Sequence, residues 1–70
     1  MPEVRAEITA NVGRVGVEVG QQVRAGDELV VLETAKTEIP VLSPLAGTVV
    51  DLRVAAAAEV QAGDVVAVIE

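Results

Sequence analysis

Seventy residues with 11 acidic and 5 basic side chains carry a formal net charge of −6, and such a surface repels both phosphate backbones and anionic lipid headgroups. The chain has no cysteine and no histidine, which excludes disulfides, thiolate or imidazole metal sites and the usual general base. It also has no Phe, Trp or Tyr, so there is no platform on which nucleobases could stack.

A chain this short removes only about 60% of its unfolded surface from water, so one small domain over residues 1–70 with a thin core is expected. With 51% hydrophobic residues, mostly Val, Ala, Leu and Ile, that core has to come from aliphatic side chains in a closed sheet arrangement. No apolar run approaches the roughly 20 residues needed to span a bilayer. The opening MPEVRAEI has no basic stretch followed by a long apolar one, so no export signal is read there. The expected partners include neither nucleic acid nor membrane, and the expected compartment is the cytoplasm.

In chain order, strand-like runs occupy residues 5–10, 12–19, 28–34, 37–42, 48–54 and 65–69. Valine dominates them, and its branched Cβ suits a pleated surface. Breakers separate the runs at Gly13, Gly20, Gly26, Pro40, Pro44, Gly47 and Gly63. Strong helix formers cluster only in AAAAE at residues 55–59, too few for a helix to stand alone. The pattern is all-β.

The runs belong to a repeat. VEVGQQVRAGDELVVLE, residues 17–33, aligns without gaps on VAAAAEVQAGDVVAVIE, residues 54–70, at an offset of 37. Val17/Val54, Val23/Val60, Ala25/Ala62, Gly26/Gly63, Asp27/Asp64, Val31/Val68 and Glu33/Glu70 are identical pairs. Each AGD fits a tight turn, with glycine where φ is positive and aspartate bonding nearby amides. Halves of about 1–34 and 37–70, four short strands each, would cover one another's apolar faces about a pseudo-twofold axis and close a flattened barrel or sandwich. One departure stands out: Ala57 falls where Gly20 stands in the first half, and a turn reshaped away from positive φ is expected there.

The midpoint of the duplication falls at residues 34–37, within the stretch ETAKTE at residues 33–38. A twofold arrangement puts it at one end of the molecule and both termini near the other. With Ala35-Lys36 as the central residues of a hairpin, Thr34 opposes Thr37, Glu33 opposes Glu38, Leu32 opposes Ile39 and Val30 opposes Val41. Two local rules are broken. Glu33 against Glu38 sets like charges directly opposite, and Ala-Lys supplies none of the positive-φ residues that two-residue hairpins favour. Such breaks concentrate at functional sites.

A lysine in a turn is ordinarily solvated charge, here with Glu33 and Glu38 as weak surface ion partners. Its place at the centre of the duplication argues for more. Catalysis by Lys36 itself would need a neutral amine, whereas the two glutamates favour the ammonium form. GRVGVEVG at residues 13–20 does not have the G-x-G-x-x-G spacing of a phosphate-binding loop and reads as turns and a bulge. Lys36 thus reads as a handle for another protein's chemistry, and self-contained catalysis is not expected of the chain.

Here the sequence resembles the biotinyl/lipoyl attachment domains, which carry a cofactor on one lysine at a hairpin tip. In LVVLETAKTEIPVLSPLAGTVV, Glu33, Lys36, Glu38, Ile39, Pro44 and Gly47 match biotinyl domains by position. The likeness runs over essentially the whole chain, including VRAEI and both AGD turns, and small free-standing biotin carriers look like this from end to end. The resemblance implies a flattened barrel of two four-stranded antiparallel sheets. It implies covalent attachment at Lys36, with Glu33, Thr34, Ala35, Thr37 and Glu38 read by a ligase or partner. Both methionines that usually flank a biotinylated lysine are replaced, by Ala35 and Thr37. Glu33-Thr34-Ala35-Lys36 looks lipoyl-like instead, while Glu38, two beyond the lysine, is biotinyl-like. The body thus argues biotin and the tip argues lipoate, biotin's match being the more extended.

The implied mechanism is a swinging arm: a biotin or lipoate protein ligase acylates Lys36, and the carrier moves a bound group between active sites. Biotin would serve a carboxylase and a carboxyltransferase; lipoate would serve an acyltransferase complex of a dehydrogenase. The competing reading is an unmodified binding or structural module of the same fold.

Overall fold

The computed structural model describes residues 2–70. Eight strands follow one another, β1 (Glu3–Arg5), β2 (Ala10–Val15), β3 (Gln22–Val23), β4 (Glu28–Glu33), β5 (Glu38–Leu42), β6 (Gly47–Leu52), β7 (Glu59–Val60) and β8 (Val65–Ile69). They form two four-stranded sheets, ordered β1-β8-β6-β3 and β5-β4-β2-β7, with every pairing antiparallel. This is the all-β, two-sheet architecture expected above. Each sheet draws two strands from either half of the chain, so neither half holds a complete sheet.

The duplication is visible atom by atom. β2 and β6 start 37 residues apart, as do β3 and β7, and β4 and β8. The turn bonds Gly26 N–H to Ser43 O and Ser43 N–H to Asp27 O, both 2.8 Å, recur as Gly63 N–H to Ala6 O, 2.8 Å, and Ala6 N–H to Asp64 O, 2.9 Å. In each AGD turn the glycine has positive φ, 91° at Gly26 and 93° at Gly63. The aspartate accepts from the amide three residues back, Arg24 or Gln61. The apolar interior comes from both sheets and includes Val4, Val12, Leu29, Leu32, Val49, Val66 and Ile69. β4 and β8 are inner strands, and residues 29–32 and 66–69 are buried without alternation.

Three expectations need correction. Residues 5–10 are not one strand: β1 ends at Arg5 and β2 begins at Ala10, because Ala6 bonds across to Gly63 and Asp64 and turns the chain. The run over 12–19 stops at Val15, ahead of the turn that carries Gly20. Ala57 keeps the positive φ of its duplicate, 72° against 94° at Gly20. Its amide is held on Val12 O at 2.8 Å just as the Gly20 amide is held on Val49 O at 2.7 Å, so tertiary bonding overrides the preference of an L side chain.

The pole of the molecule follows from strand direction. β4 runs into residues 34–37 and β5 runs out of them. At the other end of that pair, residues 43–46 lead to Gly47, next to the Glu70 and Pro2 backbones that bond to Thr48 and Ile69. The hairpin therefore caps one end of a body measuring 32 × 17 × 17 Å, and Pro2 and Glu70 lie at the other.

Candidate functional site

The hairpin register is the one deduced from sequence: Val30 faces Val41, Leu32 faces Ile39 and Glu33 faces Glu38. Val31 faces Pro40. Thr34 N–H donates to Thr37 O at 2.9 Å. Neither Ala35 nor Lys36 has positive φ, so the tip does not use the turn geometry that standard two-residue hairpins need. Its amides go instead to a side chain. The Thr34 hydroxyl oxygen accepts from Lys36 N–H at 3.3 Å and from Thr37 N–H at 3.2 Å, and its proton reaches Thr37 O at 3.3 Å.

Residues 33–38 are all exposed. The ion pairs among the described residues join Arg5 to Glu3, Arg14 to Glu28 and Arg53 to Asp51; none uses Lys36. Of these, the Arg53 guanidinium bonded to Asp51 holds that carboxyl below its ordinary range. The weak ion pairing with Glu33 and Glu38 that an ordinary solvated turn lysine would show is thus not made among the described residues, and the amine stands at the end of the body.

Glu33 is occupied elsewhere. A Cβ built on Gly13 would lie 2.5 Å from Glu33 Cδ and Oε1, so the Glu33 side chain lies across β2 in the space that Gly13 leaves. β2 and β5 flank β4 on opposite sides; the carboxylate is therefore turned away from Glu38. The same row extends further than the hairpin. Glu38 faces Glu33, Glu33 faces Asn11 and Asn11 faces Glu59, all four exposed. Directly opposed residues share a face, which makes a carboxylate-rich line across the full width of the sheet beneath the lysine. Glu33, Thr34, Ala35, Lys36, Thr37 and Glu38 are brought together as anticipated. Asn11 and Glu59 join them through β2–β7 pairing, for which no local sequence signal exists.

Together these features define a small two-sheet body that presents the Lys36 amine, without an ion pair among the described residues, on a projecting hairpin. The chain matches, over residues 1–69, the family described as biotin-requiring enzyme, and it belongs to the biotin/lipoyl attachment family. It is 51% identical over 67 residues to a biotinylated protein TB7.3 homolog of Mycobacterium leprae, covering 96% of this chain and 94% of that one. Among solved structures, the urea carboxylase of Kluyveromyces lactis superposes with a TM-score of 0.91 at 33% identity, covering 99% of this chain. A single-chain, multi-domain long-chain acyl-CoA carboxylase superposes with a TM-score of 0.88 at 30% identity, covering 94%. This chain spans only 6% of the length of each of those two carboxylases.

Proposed function

We propose that the chain is a biotin carrier, acylated on the Lys36 ε-amine by a biotin protein ligase and working with a carboxylase and a carboxyltransferase. The observation that carries this reading is the exposed lysine, without an ion pair among the described residues, at the pole opposite Pro2 and Glu70. The biotinylated relative and the two carboxylase structures support the choice of cofactor. Acylation needs an amine that a ligase can enclose, and a tip two residues wide offers one with little steric obstruction. Bound biotin would supply the group that takes up and delivers carboxylate; the chain holds that group on a flexible stem and supplies recognition. Tethering keeps the reactive end at up to about millimolar local concentration for each active site it can reach. Glu33, Glu38 and Glu59 present negative charge to a basic ligase or partner surface. The chain itself brings no catalytic group.

Intact-mass analysis of the protein from its native cells, followed by peptide mapping, tests this. A single biotin increment on Lys36 is the expected result, and Lys36→Arg should fold normally, stay unmodified and support no carboxyl transfer. A lipoyl increment on Lys36 would reassign the cofactor, as the Glu33-Thr34-Ala35-Lys36 tip would have it, and move the partners to an acyltransferase complex. Unmodified protein in cells that contain active ligase would favour the binding-module reading.

A further inference from the structure

The tip poses a physical problem that its own residues solve. Ala35 and Lys36 stay out of the left-handed region, so the strands cannot be joined by the turn whose twist matches theirs. A turn that splays the strands leaves amides at the tip competing between protein and water. Both of the amides that follow Ala35, those of Lys36 and Thr37, instead point at one oxygen, the Thr34 hydroxyl, at 3.3 and 3.2 Å. Thr and Ser hydroxyls bond backbone two and three residues ahead in just such local turns. The hydroxyl is the acceptor around which the backbone of the modified residue is wrapped.

We infer that Thr34 is a positioning residue for acylation of Lys36: its hydroxyl clasps the tip into the single conformation that a ligase docks, in place of the glycine-type turn this hairpin lacks. The inference rests on the carrier reading for its enzymatic consequence, not for its structural one. Without the clasp the tip samples several backbone arrangements, and the apparent affinity for a ligase falls by the fraction that remains competent. Chemistry on the ε-amine, several bonds from the backbone, should not change. The signature is therefore a raised KM for the carrier with kcat preserved.

The test compares Thr34→Val, which keeps the shape and removes the oxygen, with Thr34→Ser, which keeps the oxygen. Two readouts are made on purified unmodified protein. In the first, amide hydrogen exchange at Lys36 and Thr37 should accelerate roughly fivefold in Thr34→Val, the factor that loss of one neutral hydrogen bond implies, and match the parent in Thr34→Ser. In the second, biotinylation by a purified biotin protein ligase should show a KM raised by a similar factor in Thr34→Val, kcat within about twofold, and recovery in Thr34→Ser. Equal exchange and equal KM in the two variants would overturn the inference, as would a loss confined to kcat. Should the parent itself accept no biotin, the biotin-carrier reading fails, and the exchange comparison still decides whether the clasp exists.

Discussion

Two carboxylates on directly opposed residues cost a sheet stability when both point straight out, yet Glu33 and Glu38 face each other next to the lysine. Gly13 resolves the conflict. Its φ is not left-handed, so conformational freedom is not the reason for a glycine there. The reason is room: Glu33 lies where a Cβ would be, and its charge is carried across β2, away from Glu38. Gly13→Ala therefore acts as a selective lever on a carboxylate. The side chain, exposed and flexible, should swing off β2 toward Glu38. The like-charge cost, about 0.2–1 kcal/mol, is offset by the 0.5–1 kcal/mol or so that Ala gains over Gly in a strand. Stability should stay within about 1 kcal/mol of the parent but become more salt-dependent, because salt screens an exposed like-charge pair. Urea melts at low and high salt, with NMR contacts between residue 13 and the Glu33 methylenes, check this. Unchanged salt dependence with those contacts intact would mean Glu33 had not moved.

Elements here are decided partly by local chemistry and partly by distant bonds, and Ala57 separates the two. An L residue in the left-handed region costs roughly 1–2 kcal/mol, and Ala57 accepts that at φ 72° because its amide is fixed on Val12 O. Ala57→Gly removes the strain and returns part of the gain as unfolded-state entropy. The expected net stabilisation is about 0.5–1 kcal/mol, seen as a rise in Tm of a few degrees for a chain of this size; a fall in Tm would show that the turn is not strained. The same contrast explains what the sequence could reveal. The hairpin register was legible because it depends on neighbours and on opposed aliphatics, Leu32 with Ile39 and Val30 with Val41. The AGD turns were legible because glycine and aspartate each have one local job there. Strands β3 and β7 were not: two residues long, they show no alternation and exist through pairing with β6 and β2. For the same reason Asn11 and Glu59 were invisible as members of the row that crosses the sheet from Glu38 and Glu33, whereas Glu33, Lys36 and Glu38 were plain. The Thr34 clasp lay between these cases, a known local motif that only coordinates show to be used.

At the scale of the molecule, the proposed carrier role would require visits to several active sites without adhesion between copies, and that makes the sheet edges matter. β1, β3 and β7 are edges of only two or three residues, too short to template another strand. β5 is the exception. It is a five-residue edge leading straight from the lysine tip, with Ile39 and Leu42 exposed at 36% and 47%. Long apolar edges invite pairing between chains. Pro40 sits in the middle of β5. The Thr34–Thr37 bond makes that pair a hydrogen-bonded one, and the alternation of an antiparallel ladder then turns the backbone nitrogen of residue 40 outward, away from β4. Proline has no proton to offer there, so an incoming strand meets a gap at the centre of the edge. Pro40→Val restores the donor on a residue that favours strands while leaving the pairing with β4 intact. It should keep the parent's β-sheet spectrum and fold stability yet self-associate at concentrations where the parent does not. Sedimentation velocity across a concentration series measures that directly. If the variant sediments as the parent does throughout, the edge is guarded by something other than the missing proton, and the exposed charge of Glu38 on β5 itself becomes the next candidate, to be tested by repeating the series at high salt.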